Sequence, residues 1–305
     1  MWRRYLAVQR TPVKRVATAA VLLATASSVL AGCGASSSGP GAPSTAAQPS
    51  TSPAAAACTP SSLTTKTAGT LTIGADQPVF PPWFADNQPS DGKGFEGSID
   101  AAIAKQLGYS PSQVTFTRVT FDQAIQQPDR FDFDLDEYSI TAAREKVVDF
   151  SAPYYNVSQA VVTVAGSKAT KVHSLAGLKS LKLGVQVGTT AFTAVTDTIK
   201  PSQQPGVYNS NSDVLQALKN GQVDALITDL PTAFFMTGAQ LKNGLIVGQL
   251  PPTGGKQEQF GALLAKGSPL TSCVSKAINT LRTDGILTEL QNKWLAKEGN
   301  APVLR

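Results

Sequence analysis

Arg144 lies five residues after Ser139, in the run Ser139-Ile140-Thr141-Ala142-Ala143-Arg144. A guanidinium is a planar fork whose paired N–H donors match the two oxygens of a carboxylate. Arg144 is therefore a candidate carboxylate anchor. The plainer reading is a surface arginine in the first turn of a helix, paired with a neighbour such as Glu145. Asp229 follows the apolar run 223–227, and strand ends commonly present ligand contacts. An aspartate there also suits the N-cap of a following helix. Thr190 comes two residues after Gly188, where a helix is expected to start. A hydroxyl and free backbone N–H groups at a helix start can hold a carboxylate, or simply cap the helix. Asp76 and Phe80 follow the first expected strand. Asp76 could face a polar or cationic group, and Phe80 could line a site or pack in a core.

Other chemistry is harder to assemble. His173 is the only histidine, on what reads as a surface turn, which excludes a histidine metal cluster and argues against a Ser-His-Asp triad. The remaining route to catalysis is a carboxylate pair such as Asp76 and Glu137 doing acid–base work. No G-x-x-x-x-G-K-[ST] loop is present, so any ATP hydrolysis belongs to a partner. No metal and no cofactor is expected.

The formal charge of +5 invites a nucleic-acid reading. Five basic residues (Arg3, Arg4, Arg10, Lys14 and Arg15) and no acids lie in residues 1–32, and without them 21 basic and 21 acidic residues remain. A neutral body offers no broad field for phosphate, so no nucleic-acid partner is expected. The same 32 residues form a basic start, an apolar run at 16–30 and Leu30-Ala31-Gly32-Cys33, the layout of a signal peptide. The tetrapeptide looks like a bacterial lipobox, with Cys33 as the acylated residue and its acyl chains as the membrane anchor. Residues 33–65 are rich in Ala, Ser, Pro and Thr and are read as a flexible tether. Cys58 and Cys273, an even count in an exported chain, suggest a disulfide; two free thiols are the alternative.

The elements that would position these residues alternate between strand and helix. Strands are expected at 71–74, 114–119, 131–135, 160–164, 181–187, 223–227, 246–247 and 260–264. Helices are expected at 99–107, 121–125 and 213–218 with Ser212 as N-cap, and at 269–281 and 286–295 split by Asp284-Gly285. The alternation predicts an α/β fold.

Several blocks in order carry a family resemblance. They include Leu71-Thr72-Ile73-Gly74-Ala75-Asp76 with Phe80-Pro81-Pro82, the block from Ser139 through Arg144 to Ser151, Gly184-Val185-Gln186-Val187-Gly188-Thr189-Thr190, and Gly221 to Pro231. From about Thr70 to Leu295 the chain resembles the polar amino-acid branch of the bacterial extracellular solute-binding proteins, family 3, which feed ABC importers. The resemblance implies a two-lobed periplasmic-binding-protein fold of type II with two hinge strands. Lobe one would be 66–158 and 255–305, and lobe two 159–254. It implies that Arg144 binds a ligand α-carboxylate, Asp229 the α-ammonium, Thr190 the carboxylate and Ser139 the head group, with Phe80 against the ligand side chain. Trp83 could line the cleft mouth, with packing in the core or on the surface as the alternative.

The implied protein is a lipid-anchored, monomeric carrier that takes an amino acid to ABC permease and ATPase subunits. A sensor reporting to a membrane receptor would use the same clamp, and a dehydratase-like enzyme is a more distant alternative on this fold. One departure stands out. Asp136-Glu137-Tyr138 replaces the small residues many relatives carry before Ser139. Glu137, with Asp76 opposite, would favour a basic side chain; alternatively it would pair with Arg144.

Overall fold

A computed structural model describes residues 58–295 and 301–305. The signal segment, Cys33 and the tether up to residue 57 lie outside the described residues. The chain forms β1 (Leu71–Ala75), α1 (Phe95–Gln106), β2 (Val114–Arg118), α2 (Phe121–Gln126), β3 (Phe133–Asp134), β4 (Val148–Val157) and β5 (Gln159–Val164). There follow α3 (Leu175–Leu178), β6 (Leu183–Gln186), α4 (Thr190–Thr193), β7 (Gly206–Tyr208), α5 (Asn211–Lys219), β8 (Ala225–Asp229), α6 (Leu230–Phe235) and β9 (Gly244–Gln249). The chain closes with β10 (Glu258–Ala265), α7 (Thr271–Thr283) and α8 (Ile286–Trp294).

The strands make two five-stranded mixed sheets, ordered β2-β1-β3-β10-β4 and β7-β6-β8-β5-β9. Each has a parallel set extended by antiparallel strands: β10 against β3 and β4, and β5 against β8 and β9. This is a two-lobed α/β fold. Ser158 alone separates β4 from β5, so the chain leaves the first sheet there, and it returns between Gln249 and Glu258.

The sequence explains the layers. In β5, Ala160 and Val162 enter one apolar cluster with Val214, Leu218 and Met236, while Val161 enters another with Val185, Val195 and Ile227. A strand covered on both faces needs apolar side chains at successive positions, which is why it reads as a run rather than an alternation. The first sheet packs against α1 and α7 through Ile73, Phe133 and Phe260 with Ile99, Ile103, Val274 and Ile278.

Local signals set the boundaries. Helix α1 ends at Gly108, whose φ of 81° is in the left-handed region. Helix α5 is capped by Ser210 rather than the expected Ser212; its Oγ accepts from the Asp213 N–H at 3.2 Å. The strand expected over 131–135 is only two residues long. β4 and β7 were not anticipated: β4 carries Pro153 and pairs with β10 through two register shifts, and β7 is a three-residue edge strand.

Two expected boundaries are corrected. Cys58 and Leu63, ahead of the expected boundary at 66, already belong to the body: Cys58 is disulfide-bonded to Cys273 on α7 and Leu63 packs on the first core. Residues 301–305 lie on the second sheet, not with lobe one. Val303 bridges Gln249, the Leu304 N–H donates to the Gln249 carbonyl at 2.8 Å, and Leu304 is 3% exposed in the second lobe's core. An apolar leucine three residues past a polar stretch gains more by burial than by remaining in water.

Candidate functional site

Residues that end or follow β1, β3, β6 and β8 line one cleft. Its lining includes all seven residues singled out from the sequence as ligand contacts: Asp76, Phe80, Glu137, Ser139, Arg144, Thr190 and Asp229. Asp76 immediately follows β1, Thr190 opens α4, and Asp229 ends β8. Trp83 is not at the mouth. It is 1% exposed and packs against Phe95, Tyr155 and Phe260.

Arg144 starts a short 3-10 turn and is buried at the cleft wall. Its Nη1 donates to the Ser139 carbonyl at 2.8 Å and its Nη2 to the Gly188 carbonyl at 2.9 Å. Its Cζ lies 5.3 Å from the centre of the Phe121 ring, which stacks on Tyr138. These contacts fix the fork while using two of its five N–H groups. Among the described residues the ion pairs are Lys93–Asp91 and Lys266–Asp149, so neither Glu145 nor Glu137 is ion-paired with Arg144. Gly188 is suited to its place: its φ is 72°, and a Cβ there would meet Asp122 Oδ1 at 2.1 Å.

Glu137 faces the other lobe. Its backbone is left-handed, with φ 57°. Its N–H donates to Glu96 Oε1 at 2.9 Å, and Glu96 also accepts the Tyr154 hydroxyl. Its own Oε2 accepts from Thr232 Oγ1 at 3.0 Å, and Thr232 accepts the Trp83 indole N–H at 2.8 Å. The Glu137 and Asp229 carboxyls hydrogen-bond to each other. Burial, then the neighbouring acids, raises Glu137 well above its ordinary range, and the same order of causes pushes Asp229 up to about 8. Their mutual contact itself raises Glu137 and lowers Asp229, so Glu137 is the donor of the pair. The Asp229 side chain makes no cap bond to α6, so it is aimed at the cleft.

Thr190 and Ser139 meet across the cleft with Oγ atoms 3.3 Å apart. Both donate to Glu258 Oε1, each at 2.5 Å. Gln159 donates Nε2 to Asp229 Oδ1 at 2.6 Å and to Glu258 Oε2 at 3.2 Å. Sequence reasoning missed Glu258, Gln159, Thr232 and Phe121. The available signal for Glu258 and Gln159 was a polar residue placed just ahead of an otherwise apolar strand.

The electrostatics are lopsided. Asp76, Asp136, Glu137 and Asp229 line the cleft with Arg144. Asp76 and Asp136 are both raised, first by burial; Arg118 and the Gln77 N–H partly offset this for Asp76. Beneath them Glu96, Asp100 and Asp134 are fully buried, and burial pushes Glu96 up to about 7. Such a cleft suits a solute that brings positive charge to the acids and one carboxylate to Arg144. Among the described residues no group of three or more His, Cys, Asp or Glu is arranged to hold a metal.

Known proteins resemble the chain over most of its length. The glutamine-binding protein GlnH of an ABC transporter of Bacillus subtilis is 30% identical over 70% of this chain and 78% of its own. The L-arginine-binding protein of Pseudomonas aeruginosa is 28% identical over 74% and 90%. Among solved structures, an ancestral arginine-binding protein bound to arginine matches with a TM-score of 0.62 and 32% identity, over 74% of this chain and 98% of that one. These relatives are named for binding and transport, not for catalysis. The family model for bacterial extracellular solute-binding proteins, family 3, matches residues 71–297, and the chain belongs to that family.

Proposed function

We propose that this protein is a lipid-anchored, extracytoplasmic carrier that clamps a basic amino acid between its lobes and passes it to the membrane subunits of an ABC importer. The observation that carries this reading is the pairing of one guanidinium, Arg144, with a cleft otherwise lined by Asp76, Asp136, Glu137 and Asp229. Arg144 takes the α-carboxylate and Ser139 and Thr190 complete the head-group wall. Asp229, beside Glu137, takes the α-ammonium. Phe80 covers the side chain, whose cationic end goes to Asp76 and Asp136. Transport rather than sensing is supported by the relatives named as parts of ABC transporters and as arginine-binding proteins. The anchor rests on Leu30-Ala31-Gly32-Cys33.

A thermal-shift screen against the amino acids tests the ligand. A solute at a hundredfold excess over its Kd stabilises by about 2.7 kcal/mol. Arginine or lysine should give the largest shift; a shift with glutamate and none with arginine contradicts the basic-solute reading. For the anchor, Cys33→Ser should release the protein from the membrane fraction, and retention there would contradict lipidation at Cys33.

A further inference from the structure

Glu258 has no part in the reading above beyond its presence in the hydrogen-bond network. It is the first residue of β10 and pairs with Val157, the last of β4, so it stands where the chain crosses between lobes. Its carboxylate collects donors from both lobes: Ser139 Oγ from the first, and Thr190 Oγ1 and Gln159 Nε2 from the second. A hydroxyl carries one proton and two lone pairs. Once Ser139 and Thr190 have given their protons to Glu258, they offer only lone pairs to anything between them. Lone pairs accept from an ammonium and repel a carboxylate.

We propose that Glu258 is a specificity-determining residue that competes with the ligand carboxylate for the Ser139 and Thr190 hydroxyls, so that Arg144 is left as the carboxylate's main partner. This rests on the reading of the cleft as a basic amino-acid site and refines it. Arg144 holds the carboxylate with little help from the hydroxyls. A solute lacking the carboxylate therefore loses less than the anchor's composition suggests.

The test is calorimetry with arginine and with agmatine, its decarboxylated amine, on the wild type and on Glu258→Gln. The amide keeps the shape; with its oxygen held by the Gln159 Nε2 donor it turns its NH2 toward Ser139 and Thr190, which frees the hydroxyl protons to face the ligand. The ratio of agmatine Kd to arginine Kd should rise at least about tenfold in the variant, the size expected for one or more hydrogen bonds to a charged group. Glu258→Asp keeps the charge but withdraws it by a methylene. It should move the ratio the same way by a smaller factor, and it decides the matter if melting shows the glutamine variant unfolded. An unchanged ratio, with both affinities moving together, would mean that Glu258 only braces the crossing, and would overturn the proposal while leaving the carrier reading intact. A wild type that binds no arginine overturns the basic-solute reading, and this proposal with it.

Discussion

The Arg144 guanidinium of the first lobe donates to the Gly188 carbonyl of the second at 2.9 Å. The carboxylate anchor is thus held partly by backbone across the cleft, and that backbone follows a left-handed turn. Gly188→Ala should therefore act at two levels. The φ of 72° is unfavourable for any side chain, and the added Cβ meets Asp122. A destabilisation of about 1–2 kcal/mol is expected from the strained conformation. Ligand affinity should fall as well, because the carbonyl that orients Arg144 moves. Urea denaturation and calorimetry read the two effects; wild-type values in both would contradict the arrangement.

Thr232 connects the lobes by accepting from the Trp83 indole and donating to Glu137. Thr232→Val is nearly isosteric, removes the partner of the Trp83 indole and takes one donor from Glu137, at a site where Thr232 is 4% exposed and Trp83 1% exposed. The expected cost is about 1–3 kcal/mol, that of leaving a buried polar group unsatisfied. Thr232→Ser keeps the hydroxyl and should recover most of it. Equal stability of the valine and serine variants in denaturant would mean that the bridge contributes nothing.

The buried acids at and beneath the cleft predict a sign for the pH dependence. Asp229 sits at about 8 against an ordinary 3.8, and Glu96 at about 7 against 4.5, both chiefly through burial. The folded state therefore binds these protons more tightly than the unfolded chain. Their contribution is full below about pH 4 and is lost as pH rises toward 8. The ligand-free Tm should fall by a few degrees between pH 5 and pH 8. Asp229→Asn, which mimics the protonated acid, should flatten that slope. A slope unchanged by the substitution would contradict a raised Asp229. Binding of a cationic solute should also release protons near neutral pH, seen as a buffer-dependent enthalpy.

How much of this could be read from the chain depended on whether the signal was local. β5 and β8 were readable because burial on both faces demands consecutive apolar residues, as in Ala160-Val161-Val162. Arg144, Thr190 and Asp229 were legible because each follows or precedes a recognisable element end. Glu258 was not, because its partners Ser139 and Thr190 lie 119 and 68 positions away in sequence and no periodicity encodes such a meeting. The fate of Glu137 was equally opaque. Charge offered a basic ligand side chain or Arg144 as its partner, whereas its left-handed backbone accompanies contacts to Thr232 and Asp229. The last five residues, Ala301-Pro302-Val303-Leu304-Arg305, carry too short a pattern to announce a bridge to β9.

The central claim is that Arg144 anchors a solute's carboxylate in the cleft between the lobes. The direct measurement is the ligand-induced shift in Tm for Arg144→Ala beside the wild type, with arginine as the solute. The variant should melt cooperatively, somewhat lower than wild type because the Ser139 and Gly188 carbonyls lose a donor. Its arginine-induced shift should disappear. A shift equal to the wild type's would place the carboxylate elsewhere.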